Sequence, residues 1–330
     1  MDFVAHKVAV TDWTFPDLSI EGEIFAREQL LLVSKQCKSA NDLLSLVSDA
    51  DAVITQFARI DAGIIGGMKN ARVIVRYGIG VDNVDLEAAR NRGIPVCNIP
   101  DYCMDEVADQ TLAFILATTR QVVTNTSHLR AGNWGLAVPL SSMRALKDLT
   151  VGLVGFGRIG REVFQRLHAF KCRVLVFDPF VSATPISQAG AECASSFDHL
   201  LAESDVISPH CPSTAQTRRI FDATAFGKMK RGAIFINVGR GDLADSEALM
   251  AALQSGRLGG AALDVFDPEP IPGDHAIRKM PNVILSAHIA SASPPAVRKL
   301  RESAATIAVK AVRGEPLPNV VNGVTRKREA

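Results

Sequence analysis

Residues 149–178 link a strand, a turn, a helix and a second strand in an order that few folds permit. The apolar run LTVGLVGF leads directly into the hexapeptide GFGRIG, Gly155–Gly160. A helical pattern follows, with Ile159, Val163 and Leu167 four residues apart, and the next apolar run, RVLVFDP, ends in Asp178. The first glycine serves a tight turn, the second lets backbone amides approach a pyrophosphate, and the third lets helix and strand pack closely. An acid about 20 residues further on, at the end of the next strand, can accept hydrogen bonds from an adenosine ribose. This stretch predicts a dinucleotide site on a parallel sheet. Asp178 repels a 2′-phosphate and no arginine follows it directly, so NAD is expected in preference to NADP.

A second turn, GIGVDN at Gly78–Asn83, also follows an apolar run, but Asn83 stands where a third glycine belongs and no acid-ended strand follows at the required distance. It makes a poor dinucleotide turn. Its consecutive backbone amides suit a smaller anion such as a carboxylate, and Arg76 lies two residues upstream.

Around these turns the chain alternates apolar runs with helical patterns. The first hundred residues carry HKVAVTD, DADAVIT, ARVIVRYG and IPVCNIP, with helix-like stretches such as EGEIFAREQLLLV between them. Asp105 to about Leu129 has apolar residues at helical spacing without glycine or proline, and predicts one connecting helix. Residues 130–147 are irregular yet carry Trp134, Leu136, Val138, Pro139, Leu140 and Met143, which must be covered by something. An arm that joins two copies into a homodimer is the expectation, and an ordinary loop packed on its own domain is the alternative.

From Leu149 the alternation resumes, through DVISPHCP, GAIFINVG, GAALDVF and NVILSAH, with Val, Ile and Leu on both strand faces as in central parallel strands. A last helical stretch, Ser293–Arg313, stops at Gly314. The fold class expected is α/β, with two doubly wound parallel-sheet domains.

Length and composition narrow the function. A chain of 330 residues suggests about two domains. Lys and Arg total 36 against 35 Asp and Glu, a net charge of +1, so no global field favours nucleic acid or an anionic membrane. No apolar run reaches the ~18 residues of a membrane span, and nothing at the N-terminus resembles a secretory signal. Six cysteines without a CxxC pair point to free thiols and a cytoplasmic protein, and seven histidines without metal-ligand spacing predict no metal. A small molecule is the expected partner.

Open parallel sheets bind ligands beyond the carboxyl ends of their strands. In the second half those positions hold Asp178, His210, Cys211, Arg240, Asp264 and His288, while Glu269 lies in the turn DPEP. Each has a structural reading as a cap or a hydrogen-bonded core residue. Together they supply the parts of carbonyl reduction. Hydride delivery leaves negative charge on the carbonyl oxygen, and a positioned imidazolium can protonate it. A neighbouring acid sets the imidazole's tautomer and favours its charged form, and an arginine can hold a carboxylate through two parallel hydrogen bonds. His288, Glu269 and Arg240 suit these roles in turn.

With these residues in view, the chain resembles the D-isomer-specific 2-hydroxyacid dehydrogenases over nearly its whole length. The blocks VRYGIGVDNVDLEAA, NIPDYCMDEVADQTL, GLVGFGRIGREV, HCPSTAQT, FINVGRGDLADSEAL, ALDVFDPEP and LSAHIAS carry the likeness, in family order. The resemblance implies a catalytic trio of Arg240, Glu269 and His288. It implies NAD contacts at Gly155, Gly157, Arg158, Ile159, Gly160, Asp178, Cys211, Pro212, Thr217, Val238, Gly239 and Asp264, and substrate contacts at Arg76, Tyr77, Gly78, Ile79, Gly80, Arg240 and His288. It also implies a Rossmann NAD domain, 101–290, inserted into a flavodoxin-like substrate domain, 1–100 and 291–330, with a dimerisation helix and arm at about 105–147.

The first-domain wording is similar to the branch containing the C-terminal-binding corepressors, although Ser291 stands where its animal members have tryptophan. Ala287 stands where a proline usually precedes the family's histidine. The expected reaction converts a small 2-oxo acid to its D-2-hydroxy acid with NAD(H). Two alternatives are reduction of a 2-imino acid to a D-amino acid, and an NAD-sensing, corepressor-like binding protein.

Overall fold

The computed structural model describes residues 6–325, in two compact units. One joins the residues up to Tyr102 with those from Ser293 onward, and the other runs from Cys103 to Ala292.

The first unit is a five-stranded sheet of β1 (Lys7–Val10), β2 (Leu31–Ser34), β3 (Ala52–Thr55), β4 (Val73–Arg76) and β5 (Val96–Cys97). All pairings between these strands are parallel and their order is β2-β1-β3-β4-β5, the flavodoxin-like arrangement. β3 and β4 are buried along their full length, as strands covered on both faces must be. The helix Pro294–Val312 buries Leu300, Ala304, Ile307 and Ala308 in the core of this unit, so the chain's last helix completes its first domain. Ser293 caps that helix by accepting the Ala296 N–H, Pro294 takes the first helical position, and Gly314 (φ 70°) lies just beyond its end.

The second unit holds seven parallel strands: β6 (Thr150–Val154), β7 (Arg173–Phe177), β8 (Glu192–Cys193), β9 (Val206–Pro209), β10 (Ala233–Asn237), β11 (Leu258–Leu263) and β12 (Val283–Leu285). Their order is β12-β11-β10-β9-β6-β7-β8. Val154 pairs with both Phe177 and Pro209, Asn237 with Leu263, and Leu263 with Leu285. These registers bring the carboxyl ends of six strands level, so the residues that follow them leave the sheet along one edge.

Three local readings differ from expectation. The stretch EGEIFAREQLLLV splits into a helix, Ser19–Arg27, and the edge strand β2. Gln29 at φ 59° ends the helical run, and a short apolar run such as LLLV fits either period until it finds a partner, here β1. The segment after Asp105 is two helices, Met104–Thr119 and Val122–Arg130, because Gln121 turns left-handed (φ 53°) between them. The two-residue edge strand β8 carries no apolar signal at all.

Candidate active site

The glycine turn sits at the end of β6. Gly155 has φ 105°, and a Cβ there would lie 2.8 Å from the Cys211 nitrogen, so the loop after β9 rests directly on the turn. A Cβ on Gly160 would overlap the Gly155 carbonyl oxygen. Gly157, the cap of the helix Arg158–Ala169, faces open space and makes no side-chain cap. The first-turn amides of that helix, with positive dipole character, are therefore open to an anion over Gly157, which fits a pyrophosphate. The Arg158 side chain is exposed and has no hydrogen bond or ion pair among the described residues. At the end of β7, Asp178 accepts the Phe156 N–H (2.7 Å) and the Phe180 N–H (2.9 Å), which locks the acid against the turn. The cofactor's phosphates and ribose thus have complementary groups on two adjacent strands.

At the end of β9, His210 is desolvated and pushed down to about 4, and its Nε2 lies 3.0 Å from the Ser208 hydroxyl. An imidazole that titrates near 6.5 in the unfolded chain folds here in its neutral form. Its contribution to stability is present above pH 6.5 and is lost as pH falls toward 4, by at most about 3 kcal/mol. Urea midpoints at pH 7.5, 5.5 and 4.5 are expected to fall, and to fall less in His210→Gln. An equal decline in that variant would assign the effect elsewhere. Burial likewise pushes the Cys211 thiol up to about 11, so it is protonated at neutral pH and is no nucleophile. Thr217 donates to the Pro212 carbonyl (2.6 Å) and accepts the Thr214 N–H (2.8 Å); its hydroxyl closes the loop after β9.

Next along the edge, Val238 is buried and Asn237, 1% exposed, holds the turn that follows β10. Its carboxamide donates to the Arg240 carbonyl (2.8 Å) and accepts the Gly239 N–H (3.0 Å). The Arg240 guanidinium donates to the Gly239 carbonyl (2.9 Å). On β11's loop, Glu269 accepts the Phe266 N–H (3.1 Å) through Oε1, and its Oε2 lies 2.8 Å from His288 Nδ1. Both side chains are partly exposed, 30% for Glu269 and 25% for His288. The peptide bonds before Pro268 and Pro270, on either side of Glu269, are cis.

Asp264 departs from expectation. Its side chain is fully buried, and its oxygens take the Ile289 N–H (2.9 Å), the Ala290 N–H (2.8 Å) and the Ser286 hydroxyl. A carboxylate enclosed and occupied in this way holds the loop after β12. It also supports His288, whose own N–H donates to the Asp264 carbonyl (2.7 Å) while its backbone is held left-handed at φ 53°.

In the first unit, Arg76 ends β4, is 7% exposed, and folds over Gly78, where a Cβ would overlap the guanidinium. The Gly78 N–H donates to the Arg76 carbonyl (2.8 Å), so this amide is already engaged. The Ile79 and Gly80 amides find no acceptor among the described residues and remain available to an anion. The Tyr77 side chain is turned into the core. It is 1% exposed, lies edge-on to Phe15, and donates to the buried Glu21 (2.9 Å), which Arg301 also binds. An aromatic with a polar tip is equally suited to a core hydrogen bond.

Among the described residues no His, Cys, Asp and Glu group could hold a metal ion, and no helix is long and apolar enough to cross a membrane.

Residues 112–290 match the family described as D-isomer specific 2-hydroxyacid dehydrogenase, NAD binding domain. The chain is 36% identical to a glyoxylate reductase of Thermofilum pendens over 86% of its own length and 85% of that protein's. It is 35% identical to a D-3-phosphoglycerate dehydrogenase of Archaeoglobus fulgidus, of which it spans 54%. The structure of an Aquifex aeolicus D-lactate dehydrogenase, complexed with NAD and lactic acid, superposes with a TM-score of 0.83 at 27% identity, covering 93% of this chain and 96% of that one. With its NAD-binding domain, glycine turn and parallel sheets, the chain belongs to the D-isomer-specific 2-hydroxyacid dehydrogenase family.

Proposed function

We propose that the protein is an NAD(H)-dependent reductase of a small 2-oxo acid, forming the D-2-hydroxy acid, with Arg240, Glu269 and His288 as its working residues. The observation that carries this reading is the 2.8 Å pairing of His288 Nδ1 with Glu269, beside the strand end that carries Arg240. When bound, NADH supplies the hydride. Arg240 receives the substrate carboxylate through a two-bond fork and polarises the adjacent carbonyl. Glu269 fixes the imidazole's orientation and tautomer, so that Nε2 delivers the proton to the developing oxyanion. By itself, the first unit offers an anion the Ile79 and Gly80 amides beside Arg76.

A spectrophotometric screen of glyoxylate, pyruvate and larger 2-oxo acids with NADH tests the assignment. Turnover with at least one is expected, and turnover that requires added ammonia or methylamine would replace this reading with imino acid reduction. Asp178 supports NADH over NADPH. Asp178→Ala is expected to raise KM for NADH about tenfold and to narrow the preference over NADPH, because a hydrogen-bonded acid is lost and a 2′-phosphate is no longer repelled. An unchanged KM ratio would remove Asp178 from this role.

The same reading includes a homodimer. Trp134 is 93% exposed and Leu140 74%, an apolar arm that water alone covers poorly. Sedimentation is expected to show twice the 35.4 kDa chain mass, and Leu140→Asp with Trp134→Ala to shift the protein toward monomer. A wild-type monomer would refute the dimer. The six unpaired cysteines support a reducing, cytoplasmic setting.

A further inference from the structure

Arg240 and the Glu269–His288 pair come from different strand ends, yet backbone contacts constrain how far apart they can lie. On one side of the Arg240 turn, the Asn237 carboxamide uses its donor on the Arg240 carbonyl and its acceptor on the Gly239 N–H, so the turn cannot rotate without breaking both. On the other side, Gly241 lies against the next loop. A Cβ at that position would overlap the carbonyl of Phe266 and come within 2.5 Å of its Cα, all of them backbone atoms. Phe266 is also the residue whose N–H holds Glu269, at 3.1 Å. Its backbone therefore cannot yield to a side chain at 241 without carrying the acid along, and the acid carries His288.

We infer that Asn237 and Gly241 are positioning residues for the proposed reaction. By backbone contact they set the separation between the guanidinium that receives the substrate and the acid–imidazole pair that moves the proton. Displacement of a reacting group by about 1 Å can cost on the order of a hundredfold in rate. The inference rests on the reductase reading of the same site.

The test compares Gly241→Ala, Asn237→Asp, Glu269→Gln and the double variant Gly241→Ala/Glu269→Gln in the full-length protein. Gly273→Ala serves as control, since a Cβ there meets nothing within 4 Å. Asn237→Asp keeps the size and the acceptor but removes the donor to Arg240. NADH affinity by calorimetry is expected to stay within about twofold in Gly241→Ala and Asn237→Asp, while kcat for the 2-oxo acid falls about 100-fold. Gly273→Ala is expected to behave as wild type. Because Gly241 acts through Glu269, the losses in the double variant are expected not to multiply.

A Gly241→Ala enzyme within threefold of the control, or losses that multiply fully, would overturn the inference. If Gly241→Ala fails to fold, Asn237→Asp decides: reduced kcat with intact NADH binding supports the inference, and wild-type kcat or joint loss of binding refutes it. If wild type turns over no 2-oxo acid, the reductase reading has failed by itself. Crystal structures of wild type and Gly241→Ala then decide this point, since an unchanged Arg240–Glu269 separation would refute it without any activity measurement.

Discussion

Replacing His288 with Gln is expected to lower kcat for 2-oxo acid reduction by roughly 10²- to 10⁴-fold, the range that general acid catalysis contributes. Glutamine can still donate to Glu269, but its amide carries no proton to give at neutral pH. The loop itself is expected to survive, because its shape comes from the Asp264 carboxylate and from backbone bonds at positions 288, 289 and 290 rather than from the imidazole. NADH affinity should therefore remain near wild type, which separates chemistry from folding. Steady-state kcat together with calorimetric NADH binding makes the measurement, and a variant within tenfold of wild type would remove His288 from the role of proton donor.

Arg240→Gln is expected to cost about 10²- to 10⁴-fold in kcat/KM. Two hydrogen bonds from a charged donor to a carboxylate contribute about 1.5–3 kcal/mol each, and each 1.4 kcal/mol is a factor of ten. Arg240→Lys should recover only part of the loss, since an ammonium offers a point charge in place of a planar fork. The turn is expected to hold in both variants, because Asn237 grips the backbone of residues 239 and 240 and not the guanidinium. Equal kcat/KM in Arg240→Lys and wild type would show that fork geometry is unimportant, and full activity in Arg240→Gln would reassign substrate binding.

Legibility in the sequence followed the range of the interactions involved. GFGRIG and Asp178 were readable because the turn, the helix and the next strand are neighbours in the chain, and glycines at fixed offsets have few other uses. Apart from β8, the strands of the second unit were readable as apolar runs rich in Val, Ile and Leu. β2 was hidden because LLLV suits either period, and the helix break at Gln121 was hidden because an ordinary glutamine there adopts φ 53° without glycine or proline. At Asp264 and Tyr77 the fold supplies buried partners that the sequence does not announce, for a common reason. An acid at a strand end and a tyrosine beside a glycine turn look the same whether they face a ligand or a buried partner, and here Ser286, the amides of residues 289 and 290, and Glu21 took them. Asn237 carries no such signal either, since an asparagine after an apolar run gives no sign that both ends of its amide are engaged.

The amino-acid order by itself determined the alternation of strand and helix, the phosphate-binding turn and the chemical types available at the strand ends, because side-chain periodicity and glycine's conformational freedom act over a few residues. Only the tertiary structure decided which of those groups lie near one another. Parallel register levels the strand ends, the buried Asp264 shapes the loop of His288, and the close approach of Gly241 to Phe266 joins the Arg240 turn to the loop of Glu269. These contacts join residues tens of positions apart, and burial and hydrogen-bond saturation at such distances depend on how the whole sheet packs.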